Sequence, residues 1–394
     1  MKIRFSFLLL IFFACSQNKQ SPEIESFQQN MQVEDTFEYY PIKDNRIKVD
    51  LNKPQKASLF DYFSHIELIP LETNDSVLIA SIYQFIHYQG RYYVCDRRQF
   101  RIFVFDDTGK SVLQIKKRGQ GPGEYIDMGA IFLNPFTNNI DILDLTAIHS
   151  YDLSGKYVKT VHLDPSIIPL NFIALNEKTY IFWSTRTHNP ESPPSGITYY
   201  DAEESTIIHQ EYELDSFFSR SLLVIGSFIP SRFYCYQEKW FFSHYVDNET
   251  YEIGEQSLIK AYTWDFGRYN YDPKKLNIPL DPSIPRSPFP YNIRFQSQNN
   301  KYVMAYCSKN RETNFSLIYD KSTDKCKLIE HFTESVDFLP IEVTNEYVLS
   351  HSSHGELKNF ISEEMLDENN RQIFKDLMNS KEEENPIIIK YYFK

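Results

Sequence analysis

From Ile47 onward, apolar runs of four to seven residues, rich in Tyr and Phe, alternate with Gly, Asn, Asp and Pro. Aromatic and β-branched residues in runs of that length, punctuated by turn formers, predict strands and an all-β fold. One phrase recurs: an apolar run ending in Tyr or Phe, then Asp, a small polar turn, and a second apolar run. Phe105-Asp106-Asp107-Thr108-Gly109-Lys110 and Tyr151-Asp152-Leu153-Ser154-Gly155-Lys156 are its clearest copies, set 46 residues apart. That spacing matches one four-stranded propeller blade.

Strand pairs can be laid into register six times along the chain. Arg91 to Asp96 pairs with Arg101 to Asp106, and Ile140 to Asp144 with Ser150 to Asp152. Thr179 to Trp183 pairs with Ile197 to Asp201, and Lys239 to Ser243 with Thr250 to Ile253. Lys301 to Ala305 and Phe315 to Asp320 make the fifth pair, Glu346 to Ser350 and Ile387 to Phe393 the sixth. Six pairs predict a six-bladed β-propeller of four-stranded antiparallel blades. Inner strands are expected at 81–87, 128–133, 171–175, 232–236, 293–297 and 336–343, and outer strands after each of the first five pairs. The sixth blade is expected to borrow its outer strand from His65 to Glu72, closing the ring and covering an open edge. Helical spacing of Met365, Leu366, Ile373, Phe374, Leu377 and Met378 predicts one helix, Glu363 to Ser380, inserted in blade six.

The first residues follow another pattern. Lys2 and Arg4, an apolar run from Phe5 to Ala14, and then Cys15 before a polar stretch describe a signal peptide over 1–14. A Cys directly after Ala14 resembles a bacterial lipobox and predicts lipidation of Cys15, although Phe12 and Phe13 stand where lipoboxes usually carry Leu and a small residue. Plain cleavage with an unmodified Cys15 therefore stays open. Residues 15–46 read as a lipid-anchored flexible tether and 47–394 as the propeller, expected to be a monomer. No later segment holds the roughly 18 uncharged apolar residues of a membrane-spanning helix.

The chain carries a formal charge of -12, which becomes -14 once Lys2 and Arg4 are removed with the leader. An acidic body disfavours nucleic acid, whose binding rests on Lys and Arg contacts to phosphate. Cys95, Cys235 and Cys307 sit in apolar strand-like runs and are expected as buried free thiols; a Cys307 to Cys326 disulfide within one blade is compatible with an oxidising compartment.

Several segments together resemble a known family: Ile69-Pro70-Leu71-Glu72-Thr73, Tyr93-Val94-Cys95-Asp96, the Phe105 hairpin, Arg118-Gly-Gln-Gly-Pro-Gly-Glu-Tyr125 and Asn385-Pro-Ile-Ile-Ile-Lys390. They are similar to the six-bladed β-propeller lipoproteins of Bacteroidota, themselves distantly similar to NHL-repeat and TolB-type propellers. The resemblance covers about Ile47 to Lys394 and is most specific over 68–160. It implies a fold and a cell-envelope compartment, and no mechanism.

Motifs for chemistry are sparse. Gly119-Gln-Gly-Pro-Gly123 lacks the following helix that a phosphate loop needs, and reads as a turn between blades. His351 and His354 lie on a polar stretch without HExxH spacing, and no Gly-x-Ser-x-Gly elbow occurs. Asp96 and Asp144 end equivalent strands and are expected to satisfy turn amides. No cofactor, metal or catalytic residue is assigned.

Geometry says more. Strands in a blade alternate direction, so loops between blades and loops between each middle pair emerge on one rim. The long connections gather there, which makes that rim the expected binding face. It carries Arg97, Arg98, Arg118, Arg186 and His188, then His244, Arg268, Arg286, Arg294 and Arg311. Tyr125 and Trp264 are expected to offer stacking faces, with Glu124 beside them. The expected function is a non-enzymatic binding or scaffold propeller, anchored to the outer membrane on its periplasmic side, holding a glycan, peptide or protein. The alternative is a propeller hydrolase or lyase acting on a sugar or peptide at the channel mouth.

Overall fold

The computed structural model describes residues 38–185, 195–214, 233–244, 247–270, 291–309, 313–380 and 384–394. These form six sheets, each with four antiparallel strands. Blade one is Gln84–Tyr88, Arg91–Asp96, Arg101–Asp106 and Ser111–Ile115. Blade two is Ala130–Asn134, Asn139–Leu143, Ala147–Asp152 and Tyr157–His162. Blade three runs from Ile168–Ala174 to Thr206–Leu214, blade four from Phe233–Tyr236 to Leu258–Asp265, and blade five from Tyr291–Gln298 to Lys325–Phe332. First strands of neighbouring blades adjoin, so they surround the channel.

The core lies in the seams between blades. Successive side chains of a strand point to opposite faces, and both faces of a blade are covered, so strands read as unbroken apolar runs. In Arg91–Asp96, Tyr93 and Cys95 join the seam towards blade two while Tyr92 and Val94 join the seam towards blade six. The recurring Asp is the acceptor of its own turn. Asp106 takes the Thr108 and Lys110 amides, both at 3.0 Å, and Asp152 takes those of Ser154 and Lys156. Hydrogen bonds from the Thr108 and Ser154 hydroxyls, with these amides, hold both carboxyls below the usual range.

Blade six is built from Glu342–Val343, Tyr347–Ser352 and Ile387–Phe393, and its outer strand is Phe63–Pro70, two residues earlier than the expected His65 to Glu72. The register runs from Ile387 opposite Pro70 to Tyr392 opposite His65. Its inner strand is far shorter than the expected 336–343. Pro340 has no N–H to give a ladder, and Val336 and Phe338 are buried without one. The expected helix splits into a 3-10 turn, Glu363–Met365, and a helix, Glu368–Asn379, because the Asp367 side chain caps Asn370 N–H at 2.9 Å. Asn370 in turn accepts from Leu68 N–H on the closing strand, at 2.8 Å.

Two sheets carry a fifth strand. Arg46–Lys48 pairs in parallel with the outer strand of blade four, and Gln55–Ala57 with that of blade five. The compact unit accordingly begins at Tyr39 rather than at Ile47, and Tyr40 N–H donates to Asn300 O in a turn of the opposite, short-turn rim. Ile47, Val49, Leu51, Ala57 and Leu59 are all buried by this strap.

Cys307 and Cys326 do not form the disulfide. They lie on the second and fourth strands of blade five, with Thr313–Asp320 between them. Two ladder spacings, about 10 Å, exceed what a disulfide spans. Cys95 and Cys307 are buried as expected, but Cys235 is exposed.

Candidate functional site

Among the described residues the long connections emerge on one rim, and two buried carboxylates hold them there, Asp96 at the loop entering blade one and Asp144 at the loop entering blade two. Asp96 accepts from Ala80 N–H at 2.7 Å and Gln99 N–H at 3.1 Å. Asp144 accepts from Ile126, Asp127 and Leu145 N–H, at 2.8, 2.9 and 2.7 Å. Each carboxylate thus ties the loop entering its blade to the loop after its second strand. Gln99 extends the tie by donating to Leu78 O at 2.6 Å. What these loops hold up to solvent is aliphatic: Leu78, Ile126 and Leu145 are 39%, 50% and 63% exposed.

Cations frame them. Arg97 forms an ion pair with Asp127 at 2.7 Å. Burial opposes the Asp127 charge, yet the Arg97 guanidinium and the Met128 N–H hold its carboxyl below the usual range. The Arg118 guanidinium lies 3.7 Å from the Phe100 ring centroid, a stacked arrangement that leaves its N–H edge open. Arg98 is exposed, and among the described residues neither it nor Arg118 makes an ion pair. Glu124 is spent on the Gly-rich turn, where it accepts from Gly121 N–H at 2.8 Å. Gly123 sits at φ +72°, against the Tyr157 ring, so this segment is a packed turn.

The expected stacking rings are elsewhere. Tyr125 is fully buried, donating to Phe100 O at 2.9 Å, and Trp264 is fully buried, donating to Gln296 Oε1 at 2.7 Å. Tyr125 follows a Gly-rich turn and Trp264 stands in an outer strand, and each reaches a partner on a neighbouring blade, which withdraws its face from solvent. His244 is likewise buried, 5.1 Å from the Trp183 ring. Arg268 is exposed beside Tyr269 on the far side of the ring, next to a groove of about 680 Å³ between the strap and blade four. Arg186 and Arg311, with His188 and Arg286, lie outside the described residues. The structure therefore brings Arg97, Arg98, Arg118 and Glu124 into one sector and separates them from the blade-four candidates.

The channel holds a second cluster. Gln84 donates to Ile131 O and accepts from Ile131 N–H, both at 2.8 Å, which ties the inner strands of blades one and two. Glu342, on the inner strand of blade six, accepts from His87 N–H; burial nevertheless pushes its carboxyl up to about 7. Cys235 is accessible yet enclosed by protein, as channel-lining groups are, and this enclosure raises its thiol to about 11. His351 pairs opposite Ile388 and packs on Phe85, while His354 opens a 3-10 turn, so the two histidines belong to different elements. Among the described residues, no group of three or more His, Cys, Asp or Glu could hold a metal ion, and no helix is long and apolar enough to cross a membrane.

Ile126 and Leu145 are single aliphatic residues in polar loops, their own amides bonded to Asp144, while Leu78 is the exposed middle residue of Val77-Leu78-Ile79, its carbonyl bonded to Gln99.

Comparison with known proteins agrees on the fold. The sequence model of a family described as "Domain of unknown function (DUF4934)" matches residues 44–392. No curated protein matches the chain. Among solved structures, one from Bacteroides fragilis NCTC 9343, described as a "Putative exported protein", is similar with a TM-score of 0.63 and 17% identity, over 89% of this chain and 99% of that one. A member of the DUF4221 family from Bacteroides vulgatus ATCC 8482 aligns with a TM-score of 0.42 and 11% identity, over 84% of this chain and 96% of that one.

Proposed function

Because the chain belongs to the DUF4934 family, whose description names no activity, we propose a function from its own rim: a non-enzymatic binding or scaffold propeller of the cell envelope. The observation that carries this reading is the contrast between the two rims. One holds hairpins such as Asp106 to Lys110 and Asp152 to Lys156, closed on their own Asp. The other holds long loops fixed by Asp96 and Asp144, with exposed aliphatic and cationic groups. Fixed loops on a rigid ring keep the ordering cost of binding low, which is where such folds place recognition. The partner is a glycan, peptide or protein.

The compartment rests on the leader. Residues 1–14 with Cys15 support export and lipid anchoring to the outer membrane, facing the periplasm, and the similarity to a Bacteroides protein described as exported agrees with export. Mass spectrometry of membrane-extracted protein should find acyl chains on Cys15; an unmodified Cys15 or a different amino terminus defeats the anchor.

The binding reading is tested by a thermal-shift screen of residues 16–394 against glycans and peptides, since a ligand of the folded state raises Tm by mass action. A concentration-dependent rise is expected. Turnover of a screened sugar or peptide, with product detected by chromatography, would replace binding by hydrolase or lyase activity.

A further inference from the structure

We propose that the rim between blades one and two binds a peptide segment in which a carboxylate stands next to aliphatic side chains. This rests on the binding reading above and names its partner. Three observations converge on that chemistry. First, Arg118 is laid flat on Phe100 at 3.7 Å, its N–H edge free of any ion pair among the described residues, and exposed Arg98 has none either. A stacked guanidinium has already lost most of its rotamer freedom and offers a fork that matches a carboxylate.

Second, the nearby carboxylates are committed. Asp127 faces Arg97, Glu124 faces Gly121 N–H, and Asp96 and Asp144 face backbone amides. With Lys116 and Lys117 also exposed, this sector presents cations on a chain of net charge -12, so the incoming group is an anion.

Third, the neutral part of the surface is aliphatic. Leu78, Ile126 and Leu145 are exposed in one hydrogen-bonded run: Leu78 O to Gln99, Phe100 O to Tyr125 hydroxyl, and Ile126 and Leu145 to Asp144. Sugars are usually held by open aromatic faces with planar polar groups, whereas here Tyr125 is buried and the Phe100 face is covered by Arg118. Branched apolar side chains beside a carboxylate fit Leu, Ile and Arg better than a glycan does.

The test uses residues 16–394 and a panel of labelled, end-capped peptides in which one Glu is flanked by Leu, Ile or Val, each paired with its Glu-to-Gln counterpart. Fluorescence anisotropy at 50 mM and 500 mM salt reads the affinity. Glu peptides should bind at least about tenfold more tightly than their Gln partners, and more weakly at high salt. Arg118→Ala should lose about tenfold or more, Leu145→Ser several-fold, and Lys178→Ala on the opposite rim nothing, all at unchanged Tm. Equal binding of Glu and Gln peptides, an unaffected Arg118→Ala, or no binding by any peptide overturns the proposal. In those cases, a glycan that raises Tm regardless of Arg118→Ala leaves the broader binding reading standing; silence from both panels removes both.

Discussion

Asp96 and Asp144 spend their charge on backbone amides, and this makes the rim loops rigid. Replacing Asp144 by Ala leaves three amide donors, those of Ile126, Asp127 and Leu145, without their acceptor. A loss of about 2–3 kcal/mol in urea denaturation is expected, with Asp144→Asn recovering part of it. A second residue-scale prediction concerns pH. The Glu342 carboxyl titrates near 7 in the folded state against 4.5 for a free side chain, so the folded protein holds the proton more tightly. Its contribution is fully present below pH 4.5 and lost as pH rises through 7, up to about 3 kcal/mol and less where water screens the group. Tm should fall between pH 5 and 8, and Glu342→Gln should flatten that slope while keeping an acceptor for His87 N–H. Lys321 acts in the opposite sense at higher pH. Burial lowers its amine from 10.5 to about 7, and the neutral amine still has donors for Gln298 Oε1 and Asn299 O, so this contribution grows from pH 7 towards 10.5. The turn role of Asp106 and Asp152 is legible in the sequence because a hairpin is local. Burial of Tyr125 and Trp264 is not, since it depends on which face of a neighbouring blade arrives.

Among elements, the blade strands were readable and the strap was not. Runs such as Tyr92 to Cys95 are buried on both faces, and an unbroken apolar run between turn formers is a strong strand signal. Arg46–Lys48 and Gln55–Ala57 have three residues each and find parallel partners more than 200 residues away. Their one local trace is the alternation of Ile47, Val49 and Leu51 in a polar stretch. Ile47→Ala should cost about 2–4 kcal/mol in the same urea experiment, a core-like value for a position expected to begin the fold. Gly123→Ala should also destabilise, by about 1 kcal/mol or more, because φ is +72° there and a Cβ would strike the Tyr157 ring. Differential scanning calorimetry resolves that shift.

At the scale of the molecule, six registered pairs were enough to count the blades, because each pair repeats one structural unit. The binding sector was legible only as a rim: strand alternation says which loops share a face, while the separation of Arg118 from Arg268 depends on the circumference. The sixth sheet joins Phe63–Pro70 to Ile387–Phe393, so one blade holds both ends of the ring. Deleting 387–394 should abolish a single cooperative unfolding transition and broaden it into several, followed by circular dichroism.

The strap also decides how the ring meets mechanical load. The chain enters at the short-turn rim through Tyr40 and then climbs beside blade four, with Arg46 to Lys48 running the same way as their partners Thr263 to Asp265. Tension that reaches Arg46 to Lys48 is carried along the axis of the paired strands. The hydrogen bonds of the strap share that force in shear, and the buried Ile47, Val49 and Leu51 resist sliding with them. A ring held this way takes tension from its leading segment at the turn that holds Tyr40 and along the outer edges of two blades.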